Sequence, residues 1–125
     1  MRGAAAGLAA LAFLPLAACV EPDAPAGGQS CRVAEVVDGD TLGLACEGGP
    51  VVLARLKGVD APEIARARCS AERTKGQEAR RTLERLVAGG PVTRAVFAGT
   101  HSDGRSLVVL EIDGRDVGQA MVSAG

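Results

Sequence analysis

Aromatic residues and net charge are both scarce in this sequence. Its 125 residues include no Trp, no Tyr and only two Phe, so aromatic platforms for stacking nucleic-acid bases are largely missing. The 14 basic and 15 acidic residues leave a formal net charge of −1, whereas proteins that hold nucleic acid by bulk electrostatics are strongly basic. Any role toward nucleic acid must therefore depend on a local site.

Histidine is almost absent, and the cysteines form no cluster with it. The one histidine, His101, falls in a turn predicted over residues 100–104, where an exposed turn residue is favoured over an acid catalyst. Cys69 lies in a polar loop before a predicted helix. Because no second Cys/His cluster exists, Cys69 is interpreted as a free or partner-linked thiol rather than as a metal ligand.

The apolar run over residues 4–18 is too short, and too interrupted by Pro15, for a membrane-spanning helix. With Arg2 before it, the run is typical of the hydrophobic part of a secretory signal. Residues 16–19 (Leu-Ala-Ala-Cys) resemble a bacterial lipobox, whose cysteine is acylated and becomes the new N-terminus. We therefore predict a lipoprotein signal peptide over 1–18 and lipidation at Cys19. An ordinary signal peptide with a cysteine near its cleavage site is the alternative.

A tether and a single small domain are predicted after Cys19. Residues 19–30 contain prolines and glycines and almost no large apolar group, which is typical of a flexible linker, so the folded domain is expected over 31–125. Val20 follows the cysteine, where an aspartate would favour inner-membrane retention of a lipoprotein. The predicted location is therefore the bacterial cell envelope, with the lipid in the outer membrane and the domain facing the periplasm.

A β-hairpin is predicted at the start of the domain. Two β-rich segments, 31–37 and 41–46, flank Asp38 and Gly39, a strong turn signal. A turn centred there places Cys31 opposite Cys46. Because exported proteins reach an oxidising compartment, we predict a disulfide between these two cysteines.

The rest of the domain predicts a small mixed fold. A third strand is expected over 51–59, a helix over 74–88 with a capping box from Thr74 to Gln77, strands over 92–98 and 105–112, and a closing helix from Val117. Three strands, a helix, two strands and a helix is the order of an OB-fold. The predicted class is mainly β with α: a five-stranded OB-fold barrel with a helix after strand 3 and a short C-terminal helix.

Three short segments carry most of the chemical specificity: 37–41 (Val-Asp-Gly-Asp-Thr), 55–63, and 103–105 (Asp-Gly-Arg). Their carboxylates and arginines could bind a hard cation, activate a water and clamp a phosphate. Asp-Gly-Asp alone is usually a turn, and Asp-Ala-Pro-Glu alone is most often a strand exit. Both occur in order here, with an arginine five residues before Asp60, and this combination favours a functional interpretation.

These segments, together with residues 76–79 and 114–122, resemble the thermonuclease family, the staphylococcal-nuclease-like phosphodiesterases. The resemblance covers residues 31–125 and implies an OB-fold enzyme that uses calcium. It implies that Asp40, Asp60 and the backbone carbonyl of Ala61 bind Ca²⁺, a cation that prefers oxygen ligands. The family commonly has Thr where Ala61 stands, and alanine keeps the carbonyl.

The same resemblance implies roles for three further side chains. Glu63 matches the general base that removes a proton from the attacking water. Arg55 and Arg105 match the arginines that donate forked hydrogen bonds to the phosphate as negative charge gathers on its oxygens.

The expected function is a calcium-dependent nuclease, a hydrolase of the endonuclease type, acting as a lipid-anchored monomer on DNA or RNA. The alternative is a non-catalytic OB-fold lipoprotein that retains a vestigial nuclease site. Retention of all five catalytic and ligand side chains argues against it. A purely structural calcium-binding lipoprotein would make no use of the two arginines.

Overall fold

The computed structural model describes Gly3 and residues 28–125. The predicted signal peptide, Cys19 and most of the predicted tether lie outside these residues. The described chain runs through β1 (Cys31–Val36), β2 (Thr41–Cys46), β3 (Val51–Leu56), α1 (Ser70–Val87), β4 (Val92–Thr100), β5 (Ser106–Ile112), β6 (Arg115–Asp116) and α2 (Val117–Ala124). Among the described residues, neither helix has the length and apolar character needed to cross a membrane.

The strands form one curled sheet in the order β1-β2-β3-β5-β4, and the short β6 pairs with the end of β5. Neighbouring strands are antiparallel except β3 and β5, which are parallel. The backbone N–H of Gln29, just before β1, donates to the carbonyl of Ala95 on β4 at 3.0 Å, so the two outer strands approach each other. The predicted fold class, a mainly β OB-like arrangement with a helix after strand 3 and a C-terminal helix, is confirmed.

The interior of the barrel is aliphatic. Leu42 and Leu44 of β2, Leu110 of β5 and Leu83 of α1 are fully buried in one cluster. Burying a leucine side chain contributes roughly 1.5–3 kcal/mol, so these residues hold α1 against the sheet. The helix thereby reaches the end of the barrel where β2 begins.

The β1–β2 hairpin has the predicted register only at its open end. Cys31 pairs with Cys46, but the register shifts by one residue between Val33 and Glu35, a β-bulge. The connection is then a loop in which the N–H groups of Val37 and Asp38 both donate to the carbonyl of Thr41, at 2.9 and 3.1 Å. This loop holds the segment that ends in Asp40 against the start of β2.

The predicted disulfide between Cys31 and Cys46 is present, and Cys69 is an exposed free thiol. The two bonded cysteines are 15 residues apart.

We expect the double variant Cys31→Ser/Cys46→Ser to lose about 3 kcal/mol of unfolding free energy in urea, because closing such a loop restricts the unfolded chain. The control is Cys69→Ser, which removes an unbonded thiol and should leave stability unchanged. Equal stability of the double variant and the parent would contradict the expectation.

Helix α1 starts earlier than the sequence predicted. It begins at Ser70 rather than at residue 74, and the hydroxyl of Thr74 donates to the carbonyl of Ser70 at 3.0 Å from within the helix. The predicted capping box from Thr74 to Gln77 is therefore wrong. The N-terminal turn is stabilised instead by Glu72, which accepts a hydrogen bond from the N–H of Arg68 at 2.7 Å and lies where a helix dipole favours negative charge.

Strand boundaries also differ from the prediction, and β4 continues to Thr100 rather than ending at residue 98. β3 ends at Leu56 rather than at residue 59, because Gly58 adopts a φ of 80° that turns the chain out of the sheet. The two-residue β6 was not predicted. It forms because Asp113 and Gly114, at φ values of 50° and 78°, fold the chain back onto β5.

Candidate active site

One end of the barrel brings together the three segments that the sequence singled out. Thr41, the first residue of β2, pairs with Arg55 near the end of β3, and Arg55 pairs in turn with Leu107 of β5. Asp40 and Arg105 immediately precede β2 and β5. The strand pairings therefore place Asp40, Arg55 and Arg105 side by side at the barrel mouth.

The carboxylate of Asp40 lies at the centre of this end, and its side chain is only 7% exposed. Its Oδ1 accepts a hydrogen bond from the hydroxyl of Thr41 at 2.8 Å. Its Oδ2 accepts one from the backbone N–H of Ala61 at 3.1 Å and lies 3.4 Å from Nη2 of Arg55. A carboxylate removed from water needs such partners, and here both oxygens have them.

Arg55 joins the two candidate metal-binding carboxylates. The nitrogen that approaches Asp40, Nη2, also donates to Oδ1 of Asp60 at 3.0 Å and lies 3.5 Å from the carbonyl of Val59. The Arg55 side chain is 11% exposed, whereas that of Asp60 is 92% exposed. Asp60 therefore converges on Asp40 while remaining open to solvent, where an ion pair is weak and readily exchanged.

Arg105 reaches the same network from the turn before β5. Its Nη1 donates to the hydroxyl oxygen of Thr41 at 2.6 Å, and that buried hydroxyl donates in turn to Asp40. Hydrogen bonding to the Asp103 carboxylate raises the pKa of Arg105, and the charges of Asp103, Asp40 and Glu63 act in the same direction. The same hydrogen bonds hold the pKa of Asp103 far below its ordinary value.

Glu63 lies in the exposed loop between β3 and α1. Its charge contributes to the raised pKa of Arg105, so the two groups lie within electrostatic range of each other. The loop backbone is fixed by Gly76 of α1: a Cβ at Gly76 would lie 2.7 Å from the carbonyl oxygen of Pro62 and 3.0 Å from that of Glu63. A solvent-accessible carboxylate within electrostatic range of an arginine could act as a general base toward a group that the arginine binds.

A second close contact joins α1 to the hairpin loop. A Cβ at Gly39 would lie 2.5 Å from the Cβ of Ala79 and 2.9 Å from that of Ala61. Only glycine fits there without displacing the helix. Small residues thus let α1 pack against both the segment that carries Asp40 and the segment that carries Asp60.

Asp38 belongs to the site, although the sequence indicated only a turn residue. Partial burial raises its pKa, and the charge of Asp40 adds to the increase, while the charges of Arg105 and Arg80 oppose it. Asp40 and Arg105 lie at the barrel mouth, and Arg80 lies on α1. Asp38 is therefore a further carboxylate in the electrostatic field of the site.

The donor chemistry of the site fits calcium. Asp40, Asp60 and the backbone of Ala61 present oxygens of the kind that Ca²⁺ prefers, and both carboxylates already meet at one nitrogen of Arg55. In the part of the chain that the structure describes, no group of three or more His, Cys, Asp or Glu side chains is arranged as a metal cluster. Waters would therefore complete the roughly six to eight oxygen ligands that Ca²⁺ takes.

The structure brings most of the predicted residues together. Asp40, Arg55, Asp60, Ala61 and Arg105 are joined, through Thr41, in one network of hydrogen bonds and ion pairs. Glu63 lies within electrostatic range of Arg105. His101 stays outside this network and contacts Asp103, with 3.0 Å between Nδ1 and Oδ1. Asp38, Thr41 and Asp103 also lie inside segments 37–41 and 103–105, although the sequence motifs alone indicated no role for them.

Comparison with known protein families agrees with this geometry. Residues 54–125 match the family model described as staphylococcal nuclease homologue. The matched segment includes Arg55, Asp60, Glu63 and Arg105 and covers more than half of the chain. The chain therefore belongs to the staphylococcal nuclease family.

A curated relative extends the similarity to the N-terminal strands. An uncharacterized endonuclease of Haemophilus influenzae is 31% identical over 115 residues. The alignment covers 92% of this chain but 57% of the relative, so the chain spans little more than half of that protein's length.

Proposed function

We propose that this protein is a calcium-dependent nuclease that hydrolyses phosphodiester bonds of DNA or RNA. The observation that carries the proposal is the network of hydrogen bonds and ion pairs from Asp60 through Arg55, Asp40 and Thr41 to Arg105, with Glu63 within electrostatic range of Arg105. Family membership and the similarity to an endonuclease support the same reaction class.

Each residue of the site has a separate role in hydrolysis. Glu63 accepts a proton from water as the water oxygen attacks phosphorus. The bond from phosphorus to the leaving oxygen breaks, and that oxygen takes a proton from solvent water. Arg55 and Arg105 donate hydrogen bonds to the non-bridging oxygens, on which negative charge accumulates. Calcium held by Asp40, Asp60 and the Ala61 carbonyl would add a positive charge that neutralises the phosphate further.

The network of hydrogen bonds and ion pairs suits these roles because its side chains are already oriented before substrate binds. Arg55 is fixed by two carboxylates, and Arg105 is fixed by Thr41 and Asp103. Donors that are already oriented need no reorganisation as the reaction proceeds. Such preorganisation is the main source of electrostatic stabilisation in enzymes.

The test is cleavage of single-stranded DNA and of RNA by the full-length chain in detergent, in calcium and in a calcium chelator. We expect cleavage in calcium that stops in chelator and returns when calcium is restored. Binding of the oligonucleotide without cleavage would support the non-catalytic OB-fold alternative. Equal cleavage in chelator would reject the calcium requirement.

We further propose that the protein is a bacterial lipoprotein anchored through Cys19, with its domain in the periplasm. The proposal rests on the Leu-Ala-Ala-Cys segment at residues 16–19 and on the disulfide, which fits an oxidising compartment. Mass spectrometry of the membrane fraction should find an acylated N-terminus at residue 19, and Cys19→Ala should abolish it. An unmodified mature protein in the soluble fraction would indicate simple secretion.

A further inference from the structure

Asp103 makes the most extensive side-chain contact to either candidate catalytic arginine. Its Oδ2 accepts hydrogen bonds from Nε of Arg105 at 2.7 Å and from Nη2 of the same guanidinium. Both donors lie on one edge of the planar group and converge on the same oxygen, so the contact restricts the orientation of the guanidinium as well as its position. Nothing in the proposed chemistry requires a carboxylate at this place.

The opposite side of the guanidinium is fixed by a different element. Nη1 of Arg105 donates at 2.6 Å to the hydroxyl of Thr41, which lies 64 residues earlier in the chain. Of the five N–H donors of an arginine, these contacts use one on each nitrogen and leave two on the terminal nitrogens. A phosphate needs such a pair for a forked contact.

We propose that Asp103 is a positioning residue: it holds Arg105 against Thr41 with its two remaining N–H donors directed at the substrate phosphate. This inference rests on the proposed nuclease function and deepens it. A free arginine side chain samples many rotamers, and ordering it only when substrate binds would weaken the transition-state contact. Asp103 orders the side chain beforehand.

Asp103 also has a purely structural contact that has to be separated from this role. Its Oδ1 accepts a hydrogen bond from the backbone N–H of Arg105 at 3.0 Å and so closes the turn through Gly104, whose φ is 88°. Asparagine preserves this contact, because its side-chain oxygen accepts in the same way. Its amide nitrogen, however, would then face the guanidinium. Because both groups are hydrogen-bond donors, no hydrogen bond can form between them. Asp103→Asn therefore keeps the turn and removes the two hydrogen bonds from the guanidinium, whereas Asp103→Ala removes both the turn contact and these bonds.

The experiment measures kcat and KM for single-stranded DNA in calcium with the full-length protein. Asp103→Asn should lower kcat/KM about 10-fold, mainly through kcat, since misplacing a reacting group is costly. Its melting temperature should stay close to that of the parent. In an Arg105→Ala background, Asp103→Asn should cause no further loss, because its effect passes through the arginine.

Asp116→Asn is the matched control. Asp116 also accepts a backbone hydrogen bond, from Gln119 at 3.0 Å at the start of α2, and asparagine serves equally well there. It should cleave at the parent rate. A contact-specific readout is the Nε–H signal of Arg105 in NMR, which should exchange slowly with water in the parent and rapidly in Asp103→Asn.

Each outcome decides between the roles. Parent-like kinetics of Asp103→Asn together with impaired Asp103→Ala would show that Asp103 only shapes the turn, and would overturn the positioning role. An equal further loss in the Arg105→Ala background would overturn it as well. A parent protein that cleaves no nucleic acid in calcium would instead overturn the proposed function, and this role with it.

Discussion

Glu63→Gln should lower the turnover number at least about 100-fold and change KM little. Glutamine has the shape of glutamate but cannot accept the proton of the attacking water, and general-base catalysis typically contributes 10²–10⁴-fold. The side chain is exposed and only the loop backbone packs against Gly76, so the variant should keep its fold. Steady-state kinetics on single-stranded DNA in calcium would measure the effect.

Glu47→Gln is the appropriate control for this experiment. Glu47 is an exposed glutamate just after β2, at the opposite end of that strand from Asp40, and its replacement should leave turnover unchanged. If Glu63→Gln turned over at the parent rate, the proton acceptor would have to be another group, and the role of Glu63 would be wrong.

The order of the strands along the chain was predictable from local sequence, whereas the candidate site residues were predicted from the resemblance to the thermonuclease family. The hairpin follows from Asp38 and Gly39 between β-rich segments, and the register at its open end brings Cys31 opposite Cys46. The residue types at 40, 55, 60 and 105 also have few uses other than ion and phosphate binding when they occur together in this order.

The start of α1 could not be predicted because hydrophobic periodicity does not reach it. The first four helical residues, Ser70 to Arg73, contain no large apolar side chain and are mostly exposed. They are helical because they extend a helix whose later residues are held in place: Gly76 packs against the loop at residues 62–64, and Leu83 packs in the core. Tertiary packing rather than local pattern sets this boundary.

The contacts that Thr41 and Asp103 make with Arg105 could not be predicted, for a different reason. Both residues occur in motifs that also suit ordinary turns, and their value lies in a contact that joins residues 41 and 105 across the barrel. Sequence spacing shows which residue types are present but not which hydrogen bond each one makes. The parallel pairing of β3 with β5 creates that proximity, because it brings the turn before β5 beside the start of β2.

Asp40→Asn should abolish the calcium response of the protein and lower activity at least about 100-fold. Even the outer partners of metal ligands typically cost 10–100-fold in metal affinity or activity, and a ligand should cost more. Asparagine removes the charge but can still form hydrogen bonds with the neighbouring groups. Its oxygen can accept from the N–H of Ala61, and its nitrogen can donate to the hydroxyl of Thr41. The variant should therefore fold, although Arg55 keeps only Asp60 as a charged partner.

Thermal unfolding separates calcium binding from catalysis in this variant. A ligand that binds only the folded state raises stability by about 2.7 kcal/mol at 100 times its dissociation constant, so the melting temperature of the parent should rise with calcium. Asp40→Asn should show no such rise, whereas Asp113→Asn, in the turn at the far end of β5 from Arg105, should respond like the parent. A full calcium response in Asp40→Asn would place the cation elsewhere. Loss of activity with that response intact would then assign Asp40 to the orientation of Arg55 and Thr41 rather than to the metal.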